Sequence, residues 1–246
     1  MYKLKLLIIC AVTLLLPIEI FAQDSFDLSE VQTKFIGETA GDQLSFESVS
    51  VVGDVNNDGY NDVLVGAYAD DTGGTDAGAA YLIYGPISSF GDFDLADADV
   101  KFIGENAGDY AGSSVAVSDV NQDGYDDILV GAYTDDTGGS NAGAVYLIYG
   151  SASLTSSIDL SLANVKFIGE ETNNVAGYSI YSDGDVNSDG YNDILIGAPN
   201  GDNGLGAVYL FYTPVSLSGE VDLSAADAKF SGEYMNDGTG ISFSSA

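Results

Sequence analysis

Most of this 246-residue chain is written three times, and that limits the folds open to it more than anything in its composition. The stretch "DVNNDGYND" (Asp54 to Asp62) returns as "DVNQDGYDD" (Asp119 to Asp127) and "DVNSDGYND" (Asp185 to Asp193), at intervals of 65 and 66 residues. Its surroundings return with it: "DVLVGAYAD", "DILVGAYTD" and "DILIGAPNG", then "GAAYLIYG", "GAVYLIYG" and "GAVYLFYT". "KFIGE" at Lys34, Lys101 and Lys166, and "KFSGE" at Lys229, complete the unit. A period of this length marks an array of similar units, each burying its apolar surface against the next. The units run over about 34–100, 101–165 and 166–228, with a fourth beginning in 229–246.

Within a unit the apolar residues come in short runs of Val, Ile, Leu and Tyr bounded by Gly and Asp, which are strand signals. No segment beyond the first 22 residues has a helical period. "SFESVSVVG", "SSVAVS" and "YSIYSDG" supply a first strand, and "KFIGE" a fourth. Because "VYLIY" and "DILVGA" are apolar at consecutive positions, both faces of each sheet need cover. Four-stranded antiparallel sheets stacked around an axis provide it, so the expected fold is all-β, with about three β-propeller blades. Four of the six lysines hold one repeat position, at the start of the fourth strand. If that strand is the blade's outer edge, a Lys there blunts edge-to-edge pairing. Glu38, four residues or roughly 13 Å along an extended strand from Lys34, is not its partner.

The chain carries 38 acidic and 6 basic residues, a net charge of −32. Such a field disfavours nucleic acid and anionic lipid as partners and favours cations or basic surfaces. The opening "MYKLKLLIICAVTLLLPIEIFAQ" has Lys3 and Lys5, an apolar run from Leu6 to Leu16, and Ala22. It reads as a secretory signal over residues 1–22, too short to span a bilayer, ahead of a repeat domain over 23–246. Cys10, within that run, lacks the small preceding residue of a lipid attachment site. An exported domain without cysteine needs another source of rigidity, and a bound metal is one. With no His, acid–base catalysis would fall to carboxylates or Tyr. The conspicuous carboxylates already belong to the repeat, so no catalytic residue is assigned.

The repeated loop has the chemistry of a calcium site. Calcium takes six to eight hard oxygens at about 2.3–2.6 Å, supplied by a short, sharply curved segment. Positions 1, 3 and 5 offer side-chain oxygens, a glycine at 6 allows the turn, position 7 offers its carbonyl, and an acid at 9 closes the shell. These are Asp54, Asn56, Asp58, Tyr60 and Asp62; Asp119, Asn121, Asp123, Tyr125 and Asp127; and Asp185, Asn187, Asp189, Tyr191 and Asp193. A helical calcium loop would close at position 12. Here position 12 is Val65, Val130 or Ile196, which rejects that family. Magnesium's stricter octahedral demand makes it the poorer fit. The competing reading is a polar turn, since Asp, Asn and Gly favour turns for local reasons.

The Phe-x-Gly of "KFIGE", with "DVNSDGYND" and the "GAP" of Gly197 to Pro199, resembles the FG-GAP repeat of integrin α-subunit propellers and related secreted proteins. The first two units have "GAY" in place of "GAP". The resemblance implies a seven-bladed propeller with calcium between the first and second strands of several blades. It makes this chain a fragment of about three blades, completed by the remaining blades of the same propeller or by self-association. It further implies a secreted or cell-surface interaction module, with a protein or glycan ligand on the end opposite the calcium loops. An alternative is a non-catalytic accessory propeller of an extracellular hydrolase acting on phospholipid or polysaccharide. In a meander, the "DDTGG" loops and the blade-to-blade connections share that opposite end. Its candidates are Asp70, Asp71, Asp109, Tyr110, Asp135 and Asp136, although Gly-rich acidic turns are commonly just solvated.

Overall fold

The β-branched and aromatic runs of each repeat form strands in a computed structural model, which describes residues 33–50, 53–87, 91–213, 218–235 and 237–242. The expected leader, residues 1–22, lies outside the described residues. The first blade contains β2 (Leu44–Ser50), β3 (Val63–Ala67), β4 (Ala79–Ile83) and β6 (Val100–Ile103). The second contains β7 (Ala111–Ser118), β8 (Asp127–Ala132), β9 (Ala144–Ile148) and β11 (Val165–Ile168). The third contains β12 (Ser179–Gly184), β13 (Asp193–Ala198), β14 (Ala207–Phe211) and β16 (Ala228–Ser231). Neighbours within each blade are antiparallel. The inner strand β7 packs against both β2 and β12. The blades stand side by side as part of an open propeller.

The four-strand blade needs an addition. β5 (Gly91–Asp94), β10 (Ser157–Asp159) and β15 (Gly219–Asp222) arise between the third and fourth strands of their own blades. Each reaches back to pair in parallel with the outer strand of the blade before it: β10 with β6, β15 with β11, and β5 with β1 (Thr33–Ile36). β1 is thus the outer strand of a blade preceding the first. A short 3₁₀ turn follows each of these strands, capped by Asp94, Asp159 or Asp222, and each turn buries one leucine, Leu95, Leu160 or Leu223.

Consecutive apolar residues find cover on opposite faces. In β3, Val63, Val65 and Ala67 join one core with Tyr81, Ile83 and Leu95. Leu64 points the other way, into the core between the first and second blades, with Leu82, Phe102, Ile128, Val130 and Tyr146. A similar core between the second and third blades holds Leu129, Phe167, Ile194, Ile196, Tyr209 and Phe211. Phe102 and Phe167, on outer strands, are 0% exposed, whereas the equivalent Phe230 on β16 is 53% exposed. The third blade's far flank is therefore bare among the described residues.

The glycine that opens each "GA-x-YL" run has a steric reason. Gly78, at φ 80°, bridges to Ala111 at the start of the next blade. An added Cβ would lie 2.1 Å from the Ala111 carbonyl oxygen. Gly143 and Gly206 make the equivalent bridges to Ala176 and Thr239.

Candidate metal loops and the opposite face

Each nine-residue loop links the first and second strands of its blade and is drawn tight by its own carboxylates. In the first, Asp54 accepts the N–H groups of Asp58 (2.9 Å) and Gly59 (2.7 Å). Asn56 Oδ1 accepts from Asp58 N–H at 3.1 Å, and Asn56 Nδ2 donates to Asp58 Oδ2 at 3.0 Å. Gly59 holds φ 89°, a backbone conformation that penalises any Cβ. The second and third loops repeat these bonds through Asp119, Asn121 and Asp123, and through Asp185, Asn187 and Asp189. Positions 1, 3 and 5 therefore meet within each turn, and Tyr60, Tyr125 and Tyr191 at position 7 donate their N–H groups to the position-5 carboxylate.

The acid at position 9 is buried and fixed to backbone. Asp62 accepts from Val55 N–H (2.9 Å) and Gly85 N–H (2.8 Å). Asp127 accepts from Val120 and Gly150, and Asp193 from Val186 and Thr213. Burial pushes the Asp62 carboxyl up and takes Asp127 to about 7. These carboxylates staple the nine-residue loop to the start of the connection between the third and fourth strands, so both connections share one end of the blade. Among the described residues, no group of three acidic side chains is gathered tightly enough to hold a cation as it stands. The donor set fits calcium in its chemistry: oxygen ligands only, an Asp-x-Asn-x-Asp alternation, and a glycine at the point of sharpest curvature.

At the other end, the expected sharing also occurs. Gly108 N–H donates to Thr75 O at 2.9 Å and Tyr110 N–H to Asp76 O at 3.2 Å, joining a "DDTGG" loop to the next connection. The acids of these loops divide into two kinds. Asp71 and Asp136 are exposed and accept the N–H groups of Asp76 and Asn141. Asp70, Asp109 and Asp135 are buried, which removes them from the solvated turn and from any binding surface.

Asp70 and Asp135 each lie in a clasp that no short-range spacing could reveal. Lys166 Nζ lies 2.9 Å from Asp135, 2.7 Å from Glu105 and 2.7 Å from Thr137 Oγ1. It also sits 5.0 Å from the centre of the Tyr146 ring. Tyr146 OH, with one proton to share, lies 2.9 Å from Glu105 and 3.0 Å from Asp135. Lys101 makes the same set with Glu38, Asp70, Thr72 and Tyr81. Burial alone would raise Asp135, but hydrogen bonds from Lys166 and Thr137 hold it below the ordinary aspartate value. The third clasp is sparer. Lys229 reaches Glu170 at 2.6 Å, and Gly201 stands where the other repeats have Asp70 and Asp135. Lys101 and Lys166 therefore do not guard an edge: their strands are paired on both sides, and their ammonium groups bind the blade-to-blade connection.

Asp109 follows Glu105 in that connection. Burial, then the Asp135 charge, push its carboxyl up to about 6, against hydrogen bonds from Asn106. The third repeat has Asn174 at this place, donating to Tyr209 OH at 3.4 Å. Between these connections runs a row of half-buried rings: Tyr68 edge-on to Tyr110 (5.9 Å), Tyr110 stacked on Tyr133 (5.6 Å), and Tyr133 edge-on to Tyr178 (5.8 Å).

Comparison with known proteins agrees with this architecture. The FG-GAP repeat model matches residues 46–83, 111–148 and 176–211, which begin at each inner strand and end at the third. Integrin alpha-5 of Xenopus laevis is 32% identical over 188 residues, covering 74% of this chain and 16% of that protein. Phosphatidylinositol-glycan-specific phospholipase D of Bos taurus is 35% identical over 191 residues, 72% of this chain and 22% of that protein. Integrin alpha-8 of Mus musculus is 43% identical over 104 residues, 40% of this chain and 9% of that protein. The chain spans less than a quarter of the length of each of these relatives. With three matched units laid out as three packed blades, it belongs to the FG-GAP repeat family and is integrin α-like in its repeats.

Proposed function

We propose that this chain is a secreted, calcium-braced propeller segment that serves as an extracellular interaction module of the adhesion type. The observation that carries this reading is the recurrence of one all-oxygen donor set at the same end of three packed blades. The similarity to integrin α subunits supports it. Asp54, Asn56, Asp58, Tyr60 and Asp62, with their counterparts in the other two loops, would hold the ions. Calcium would supply a cross-link among the oxygens of one turn. The chain supplies the rest: position 9 anchors the loop to its blade, and the blades hold three loops in a row.

A protein or glycan partner would meet the opposite end, where Asp71, Asp136 and the Tyr68 to Tyr178 row reach the surface. Calorimetry with calcium should find about three sites with dissociation constants on the order of 10⁻⁴ to 10⁻³ M. A chain that releases no heat on titration would overturn the metal assignment. Replacing Asp71 and Asp136 with Asn and Tyr110 with Ala should weaken attachment to cells or matrix without unfolding. Unchanged attachment by a folded variant would reject this face. A second reading, the accessory propeller of an extracellular hydrolase, is favoured by the match to the bovine phospholipase. Turnover of phospholipid or polysaccharide by the purified chain itself would replace both readings with an enzyme.

A further inference from the structure

The three loops share a donor set but not a setting. Position 8 of the second and third loops points back to the blade before it. Asp126 Oδ2 accepts the N–H of Asp54 at 2.6 Å, and the N–H of Asp126 donates to the Asp54 carbonyl at 3.2 Å. Asn192 Nδ2 donates to Ser118 Oγ, the residue before Asp119, at 3.0 Å. Gln122 Nε2 adds a bond to Gly190 O at 3.2 Å. Beside the first of these contacts Gly53 lies so close to the second blade that a Cβ would stand 2.2 Å from Val117 Cγ1. The position-2 valine reports the same difference: Val55 is 0% and Val120 1% exposed, whereas Val186 is 52% exposed. Among the described residues, Asp119 and Asp185 both take hydrogen bonds only from their own loops, and the second loop's outside support lies one residue earlier, at Ser118.

We infer that the metal loops are buttressed in relay: position 8 of the second and third loops props the entry to the loop before it, so the first and second sites are held in place before an ion arrives. The inference rests on the calcium reading above. Asp126 and Asn192 are positioning residues, outside the ligand set, acting through the backbone of Asp54 and through Ser118. Holding a ligand's backbone in place before the ion arrives lowers the ordering cost of binding. Loss of such a support typically lowers metal affinity by about 10–100-fold.

The test uses full-length variants that keep one loop each, made by Ala at position 5 of the other two (Asp58, Asp123 or Asp189). Terbium is the probe, its luminescence sensitised by the position-7 tyrosine of the remaining loop, with calcium as competitor. Adding Asn192→Ala to the variant that keeps the second loop should weaken that site by about tenfold or more. Adding Asp126→Ala to the variant that keeps the first loop should weaken it by about tenfold or more. Adding Asn61→Ala, the first loop's own position 8, should leave that site unchanged. Melting curves without metal separate folding loss from loss of preorganisation. Asp126→Ala and Asn192→Ala changes without effect would overturn the relay while leaving the calcium reading intact. No terbium or calcium binding by any loop would overturn both.

Discussion

Replacing Lys166 with Met tests whether the clasp between the second blade and its preceding connection holds the fold together. The substitution keeps most of the side chain's apolar length and deletes its charge. It leaves Asp135, 0% exposed at its side chain, beside the part-exposed Glu105 with no cation between them. Removing one partner of a buried pair costs roughly 3–5 kcal/mol. Asp135 would keep Thr137 N–H and Tyr146 OH, which places the loss toward the lower end, at about 3 kcal/mol. In a chain of this size that is a fall in melting temperature of about 6–12 °C.

The pH dependence has a definite sign. Asp135 is held below its unfolded value, so its contribution is present above that unfolded value and is lost as pH falls through the depressed one. Wild type and variant should therefore differ most near neutrality and converge in acid. Lys229→Met is the internal control. Lys229 pairs with Glu170 alone among the described acids and lies 5.2 Å from the centre of the Tyr209 ring, with Gly201 in place of a buried acid, so its loss should be about 1 kcal/mol or less. Urea denaturation followed by circular dichroism measures both. Losses equal in the two clasps, or below about 1 kcal/mol at Lys166, would refute the argument that burial of the acid sets the cost.

Asp109→Asn should stabilise the chain above about pH 6. The folded carboxyl titrates near 6 and the unfolded one near 3.8, so the ionised group opposes folding by up to about 3 kcal/mol, a penalty that fades below pH 4. Melting temperature measured from pH 4 to 8 checks the shape of that gain. Leu160→Ala should cost roughly 2–5 kcal/mol, because this leucine of the second blade fills the core it shares with Leu82 and Phe102 of the first. Denaturant titration reads it directly. If the loops bind calcium, chelation should lower the melting temperature, since binding at a hundredfold excess over Kd stabilises by about 2.7 kcal/mol per site. A calorimetric scan with and without chelator decides it.

The strands and the tight turns of the nine-residue loops were legible because their signals are local. Val63 to Ala67 and Ala144 to Ile148 are apolar at every position, and the two-sided cover this demands is present in the cores that Leu64 and Val65 enter from opposite faces. The division of loops between two ends followed from the meander and agrees with the bonds at Gly85 and Gly108. The back-reaching strands were missed because β5, β10 and β15 are short and polar, each with one partly buried apolar residue, Phe93, Ile158 or Val221. Their signal was the repeated Asp-Leu-x-x-Ala of Asp94, Asp159 and Asp222, a turn cap followed by a core leucine. The clasp was missed because its members lie far apart in sequence: Glu38 meets Lys101 and Glu105 meets Lys166. For the same reason Asp70 and Asp135 read as solvated turn residues although folding buries them.

The back-reaching strands bear on how such a chain can grow by duplication. A segment running from one Lys-Phe-Ile-Gly to the next begins with the outer strand of the preceding blade, carries the inner strands of its own, and ends with the strand that pairs back onto its first strand. Each copied segment thus arrives with its own joint already closed, and the surface its first strand must fit is the third strand of another copy of itself, as β6 meets β4 and β11 meets β9. A new unit can be spliced between two old ones without inventing an interface, and a deleted one leaves its neighbours with matching ends. The repeat that is inherited and the sheet that is packed are offset from one another, and the offset is what lets the number of units change while each seam stays the same.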